Sequence, residues 1–551
     1  MEADNAPEEV DVLVIGAGVT GLYQLQKARA DGFSAVLLEA GHGVGGTWFW
    51  NRYPLARFDS ESYTYVYVFD QELFEEWEWT EHFAAQPEIE RYFQRFTEKF
   101  ELEPHIRFGT EVTSVVWNDA TGTWLVTAAD GRTWNARFVV AATGMLSLPY
   151  FPDVAGREDF RGESHHTGRW PQEPVELAGK RVAVIGTGSS GVQVIPAIAA
   201  EAASLTVYQR TPNWCTPLNN SPITDEEQAD LRARYEWIRD TLNTSATGFL
   251  APAPSREAHA TPEERREFYE QMWNSPGFAK LLDSYKDLTY NPELNREWCD
   301  FIAEKIRSIV DDPATASKLI PTDHGFSEKR PPFVNGYFEV FNQPNVSLVS
   351  LVDTPMVRVT ETGIETTAGH EEFDLIVWAT GFDYGTGQLC RLGVRGVDGK
   401  VLEDHWVDGP KTYLGVQTTG FPNFFFPGGP HGASANVPRY NSDQVDYVAE
   451  LLRVMRDRGL GVVDVPEELE SDFTAMVDKL ARHALFNESS YFFGGNIPGK
   501  PIKYLLNPGG RPVLFRYIDE LKAGDWSALH LAPSPGEPSG GDRGEQPAAI
   551  G

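Results

Sequence analysis

Two side chains of opposite charge stand at equivalent places in two similar stretches of this chain, and each selects a ligand. Glu39 lies near the end of Asp11–Gly41 (DVLVIGAGVTGLYQLQKARADGFSAVLLEAG), and Gln209-Arg210 near the end of Arg181–Pro212 (RVAVIGTGSSGVQVIPAIAAEAASLTVYQRTP). A carboxylate there accepts hydrogen bonds from ribose hydroxyls and repels a 2′-phosphate. A guanidinium instead grips a phosphate with a planar fork. The first site therefore reads as one for FAD or NAD, the second as one for NADPH, and two such sites imply hydride transfer from nicotinamide to flavin. Only Cys215, Cys299 and Cys390 are present, far apart and without a CxxC pair. A disulfide is thus no candidate for receiving the electrons, which leaves O2 or a soluble carrier.

The elements that must hold these side chains are legible. An apolar strand ends at Ile15, Gly16-x-Gly18-x-x-Gly21 turns the chain, and a helix leads to a second strand ending at Glu39. Gly186-x-Gly188-x-x-Gly191 stands between the same elements in the second stretch. Each is predicted as a βαβ unit whose helix N-terminus, with its free N–H groups and positive dipole end, takes a pyrophosphate. Thr187, Ser189, Ser190 and Gln193 belong to the second of these sites.

Between the units Asp130-Gly131 separates TWLVTAA from RTWNARFVV, a hairpin signal. The strands FVVAATG and DLIVWATGFD resemble those that carry the chain between the two domains of two-dinucleotide flavoproteins. From about Ser221 the composition turns charged and helical (DEEQADLRARYEWIRD, TPEERREFYEQMW). The expected fold is α/β, with two Rossmann-like dinucleotide-binding domains and a helical insertion. The expected division gives residues 1–149 and 385–531 to the FAD domain, and 150–220 and 329–384 to the NADPH domain. Residues 221–328 form the insertion and 532–551 a disordered tail rich in Pro, Gly and Ser.

With 551 residues, 41% hydrophobic, a core of several domains is available, and a net charge of −33 argues against nucleic acid and anionic membrane as partners. No run of 18 apolar residues is present, and the acidic start does not read as a signal peptide. Cysteine usage fits a reducing cytoplasm. Oligomeric state is not legible.

The segment Phe160-x-Gly162-x-x-x-His166-x-x-x-Trp170-Pro171 matches FxGxxxHxxxWP, and with it the chain resembles the type I Baeyer–Villiger monooxygenases. The likeness extends through Gly45-Gly46-Thr47-Trp48 to Tyr65, KRPPFVNGYFEVFNQPNV and GGNIPGK, from about Asp11 to Lys500. It implies FAD, NADPH and O2 as cofactors and co-substrate, and a small-molecule ketone that a flavin peroxide converts to an ester or lactone. It also implies that Arg330 stands over the flavin, paired with Asp59, and that Lys329 joins Arg210 and Thr211 on the 2′-phosphate. Gly46, Thr47, Trp48, Arg57, Tyr65, Val112, Val437 and Tyr491 complete the cofactor-contacting set. His166 and Trp170, in the linker between the domains, either control domain orientation or pack into the seam.

Three residues depart from the family pattern. Leu55 replaces a usual Gly and Phe58 a usual Cys, and both are expected to put bulk beside the site. Tyr491 replaces a Trp that donates to NADP, and a phenol retains a donor. A pocket loop at 428–440, shorter than in some relatives, points to a bulky cyclic or terpenoid ketone. A heteroatom-oxidising flavin monooxygenase is the alternative enzyme, and a nucleotide-binding redox sensor the alternative outside catalysis.

Overall fold

The computed structural model describes residues 6–250, 256–258, 261–432, 436–482 and 487–535. Its first sheet contains β1 (Glu8–Ile15), β2 (Ala35–Leu38), β3 (Ile106–Arg107), β4 (Val112–Asn118), β5 (Thr123–Ala128) and β6 (Thr133–Ala141). β1 runs parallel to β2 and β6, while β4, β5 and β6 form an antiparallel meander that turns at Gly131, φ +87°. Two late strands complete it, Val394–Arg395 on β4 and Phe424–Phe425 on β6.

The second sheet is wholly parallel, built from β7 (Glu163–His166), β8 (Arg181–Ile185), β9 (Ser204–Gln209), β10 (Val346–Ser350) and β11 (Leu375–Trp378). Its order is β10-β9-β8-β11-β7. Each sheet thus gathers strands from both sides of a long excursion in sequence. A smaller antiparallel sheet of Met356–Val359, Gly363–Thr366 and Gly369–Glu372 flanks it.

Both central strands are apolar on both faces, as a sheet covered on two sides requires. Along β1, Val12 and Val14 enter one hydrophobic cluster while Leu13 and Ile15 enter another. Along β8, Val182 and Val184 separate in the same way from Ala183 and Ile185. Each fully buried Val or Leu contributes roughly 1.5–3 kcal/mol.

The helix after each glycine loop, α1 (Val19–Ala30) and α2 (Ser189–Glu201), begins at Gly18 and Gly188 with no side-chain cap. The third glycine sets how closely helix meets strand. A Cβ on Gly21 would lie 1.9 Å from the Gly16 carbonyl oxygen, and one on Gly191 2.2 Å from that of Gly186.

The helical insertion is present, and it is shared between two cores. Its helix α3 (Tyr235–Thr244) buries Tyr235, Ile238 and Leu242 with the first sheet's α1-side cluster, whereas Phe268, Trp298 and Ile302 pack with the second sheet. Near the end of the chain, His530–Ala532 pairs with Val462–Asp464, so the expected tail from 532 begins inside a strand. Residues 536–551 lie outside the described residues. No described helix is long and apolar enough to cross a membrane.

Candidate active site

The two glycine loops open on one continuous cavity of about 1470 Å3. That exceeds the roughly 300–1,000 Å3 of a typical single small-molecule pocket. Gly16, Gly18, Glu39, Gly46, Thr47, Trp48, Arg57, Asp59, Tyr65, Val112 and Val437 line it from the first body. Gly186, Thr187, Gly188, Ser189, Ser190, Gln193, Arg210, Thr211, Lys329 and Arg330 line it from the second, and Tyr491 joins them. Gly21 and Gly191 are absent from the lining, because their role is the helix–strand approach.

The fit of dinucleotides can be read from the backbone. A Cβ added at Gly188 would meet nothing within 4 Å, so the space above that loop is open, and one at Gly18 would meet only the Gly46 backbone, 3.5 Å away. Uncapped helix N-termini facing open space are anion sites. Glu39, 5% exposed, accepts from the Ala17 and Gly41 N–H groups at 2.7 Å each. Burial raises its carboxyl, and those two donors oppose the rise. Arg210 is exposed to the cavity and makes no side-chain hydrogen bond or ion pair among the described residues. Lys329 is 3.2 Å from Asp323. Thr187 donates to the Thr211 carbonyl at 3.1 Å.

At the seam, the guanidinium of Arg330 donates through one nitrogen to both Asp59 oxygens, at 2.7 and 2.6 Å, and through Nη1 to Ser189 Oγ at 3.3 Å. Burial works against its charge, but Asp59 and the nearby Tyr491 outweigh burial and hold it above its ordinary value. Three of the guanidinium's five N–H groups are engaged in this way. Nε and one Nη1 proton have no partner among the described residues.

Gln193 fixes the surroundings, accepting from Tyr53 Oη at 2.8 Å and donating to the Arg57 carbonyl at 3.0 Å. Arg57 itself pairs with Glu81 at 2.8 Å, and Trp48 Nε1 donates to Tyr65 Oη at 3.1 Å. Burial pushes the Tyr491 phenol up to about 12, with Arg330 drawing it the other way.

Aromatic rings wall the cavity around this cation. Phe278 lies 5.4 Å from the Arg330 guanidinium, and Phe249 and Phe333 pack on Phe278 at 5.6 and 5.3 Å. Tyr384 and Tyr491 meet at 4.9 Å. Phe249, Phe278 and Tyr384 carry no sequence signal of their own, since helix and loop residues far apart bring them together.

Phe160, Gly162, His166, Trp170 and Pro171 stay out of the cavity lining. His166, 3% exposed, packs on Phe151 and Phe382 at 5.1 and 5.6 Å, and its Nδ1 accepts from Gly168 at 2.9 Å. Burial pushes it down to about 4. Trp170 is buried with Tyr53 and Ala56, and its N–H donates to the Trp50 carbonyl at 3.3 Å. Between them, the unremarked Arg169 does line the cavity, 4.4 Å over the Trp50 ring and bonded to the Ser147 carbonyl at 2.6 Å.

Phe58 lines the cavity as expected, but Leu55 does not: it is 47% exposed, with φ +64°. Residues 433–435 of the pocket loop lie outside the described residues. Among the described residues no group of three or more His, Cys, Asp or Glu is placed to hold a metal ion.

The flavin-binding monooxygenase-like family profile matches residues 9–221. A 2-oxo-Δ3-4,5,5-trimethylcyclopentenylacetyl-CoA monooxygenase of Pseudomonas putida is 42% identical over 477 residues, 85% of this chain and 88% of its own length. A phenazine N-monooxygenase of Lysobacter antibioticus is 38% identical over 539 residues, 96% of this chain and 99% of its own. Among solved structures, OTEMO in complex with FAD and NADP superposes with a TM-score of 0.91 at 39% identity, covering 96% of this chain and 100% of that one.

Proposed function

The chain belongs to the FAD- and NADPH-dependent Baeyer–Villiger monooxygenases of the flavin-binding monooxygenase family, and from that premise we propose that it inserts one atom of O2 beside the carbonyl of a neutral cyclic ketone, giving a lactone. FAD belongs in the Gly16–Gly21 loop with Glu39, and NADPH in the Gly186–Gly191 loop with Arg210, Thr211 and Lys329. On this reading the two bodies divide as the sequence suggests, and the setting is a reducing cytoplasm. The bound flavin, reduced by NADPH, supplies the activation of O2.

The observation that carries the reading is the Arg330–Asp59 pair, set where both glycine loops face one cavity. Asp59 orients the guanidinium and keeps it charged, and Ser189 ties it to the second loop. The two N–H groups of Arg330 without a partner among the described residues are preorganised donors for an oxyanion forming at the reacting carbonyl. In a site closed to water one such donor accounts for roughly 10²–10³ in rate.

The ring-lined wall of Phe249, Phe278, Phe333, Tyr384 and Tyr491 offers apolar surface for an alicyclic ketone. Arg330 is the cation that faces these rings from inside the cavity lining, 5.4 Å from Phe278.

A panel of ketones with NADPH, with products identified by mass, tests the reading. Arg330→Ala is expected to keep flavin reduction by NADPH and to lose lactone formation by at least about 100-fold. Undiminished oxygenation would remove the proposed role. Oxygen transfer to a ring nitrogen, the activity in the second relative's name, is the other reading. The same panel with an N-heterocycle separates the two, because an N-oxide carries no new ester bond.

A further inference from the structure

Behind the substrate wall, and outside the cavity lining, lies Arg511 on α5 (Gly510–Ala523), 1% exposed. A buried guanidinium is costly unless its charge is paired and its protons are satisfied, and here all five donors are used. Nε donates to Asp443 Oδ2 at 2.6 Å and Nη2 to Asp443 Oδ1 at 3.3 Å. Nη1 donates to the carbonyls of Leu242 and Ser245, and Nη2 to that of Asn243, each at 2.7 Å. Those carbonyls end helix α3, where the last turn lacks intrahelical partners and a cation suits the dipole. Asp443, on α4 (Val437–Asp457), also accepts from Arg439 at 2.8 Å.

The chain leaving α3 runs straight into the cavity, where Thr247 and Phe249 line the wall. A second tie holds it there. The N–H of buried Asn436 donates to the Thr247 carbonyl at 2.9 Å. Its side-chain amide donates to the carbonyls of Gly248 at 2.9 Å and Thr64 at 2.8 Å. The next residue, Val437, lines the cavity from the opposite element. Gly248 sits at φ +68°, and a Cβ there would press on the Arg439 side chain at 3.1 Å.

We propose that Arg511, with Asp443 and Asn436, is a positioning residue for substrate selection: it fixes the 245–250 wall, and with it Phe249, against α4. The proposal rests on the ketone-oxygenating reading above. Lysine has one nitrogen where arginine has a planar five-donor fork, so Arg511→Lys keeps the charge and loses the simultaneous hold on Asp443 and three carbonyls. Asn436→Ser removes the amide ties to Thr64 and Gly248 and leaves Arg511 intact.

The test uses FAD-loaded full-length enzyme, a small ketone, a bulky one, and an unsymmetrical 2-substituted cyclic ketone that yields two regioisomeric lactones. Both variants are expected to raise KM for the bulky ketone on the order of 10-fold and to shift the regioisomer ratio. The KM for NADPH and the rate of flavin reduction without O2 should stay at wild-type values. An unchanged ratio and KM in a folded variant overturns the proposal, as does an equal loss on every ketone accompanied by loss of FAD. Should Arg511→Lys fail to fold, Asn436→Ser decides alone. A wild-type enzyme that makes no lactone refutes the underlying reading instead, and that outcome is visible before any variant is made.

Discussion

Leu55 holds a left-handed backbone, φ +64°, with its side chain 47% exposed. That conformation crowds Cβ against the following carbonyl at a cost of roughly 1–2 kcal/mol, which glycine escapes. Glycine gives back about 0.5–1 kcal/mol in lost chain freedom. Leu55→Gly is therefore expected to stabilise the protein by roughly 0.5–1 kcal/mol, seen as a higher melting temperature, with oxygenation unchanged. A loss of activity would show that the side chain has work at the site after all. Arg210 presents the contrasting case of a cation that faces the cavity with no partner among the described residues. A hydrogen bond to a charged group contributes about 1.5–3 kcal/mol, so Arg210→Ala should raise KM for NADPH by roughly 10–150-fold and leave NADH nearly untouched. Equal losses for both nucleotides would contradict the 2′-phosphate assignment. Glu39 and Arg210 were legible because strand, loop and helix fix where each must stand. That Leu55 turns away from the cavity was not legible, because residue identity does not announce a backbone angle.

Within an element, the same residue type answers two different demands. Gly191 stands against the Gly186 carbonyl, so a methyl there collides with backbone, whereas a methyl on Gly188 meets only open space. Gly191→Ala should destabilise the second body and lower the yield of folded protein. Gly188→Ala should fold normally, retain FAD, and weaken NADPH, because the added carbon occupies the space above the helix N-terminus. NADPH binding at wild-type strength in Gly188→Ala would place the phosphates elsewhere. The βαβ units were readable because apolar runs, glycine spacing and the terminal charge all agree within about thirty residues. The wall held by Arg511 was not, since its partners at 242–245 and 443 come from separate helices. Nor was Arg169, an unspecified position within a recognised pattern. His166 packs on Phe151 and Phe382 within the second body, while Trp170 packs with Tyr53 and Ala56 of the first. A contact of that kind is where domain orientation would be felt.

Across the whole molecule, acid stability turns on a few buried groups rather than on the many surface carboxylates. His166 and His431 are 3% and 1% exposed, and burial pushes each down to about 4. An unfolded histidine takes up its proton near pH 6.5, so the folded state is favoured fully above that pH. The advantage is lost as pH falls toward 4, by about 3 kcal/mol for each histidine. Asp464 works the other way, since burial raises it to about 6 and its contribution grows on acidification. Burial raises Glu39 and Glu61 in the same sense as Asp464 and lowers His324 in the same sense as the two histidines, so the contribution of one imidazole is read by comparing wild type with a variant that lacks it. His431 allows a clean test. Its φ of +59° suits asparagine, whose amide oxygen can still accept from Thr412, now 3.0 Å from Nδ1. Melting temperatures of wild type and His431→Asn from pH 7.5 to 5 should diverge, the variant losing less on acidification. Parallel curves would mean that protonation of this imidazole is not what loosens the fold.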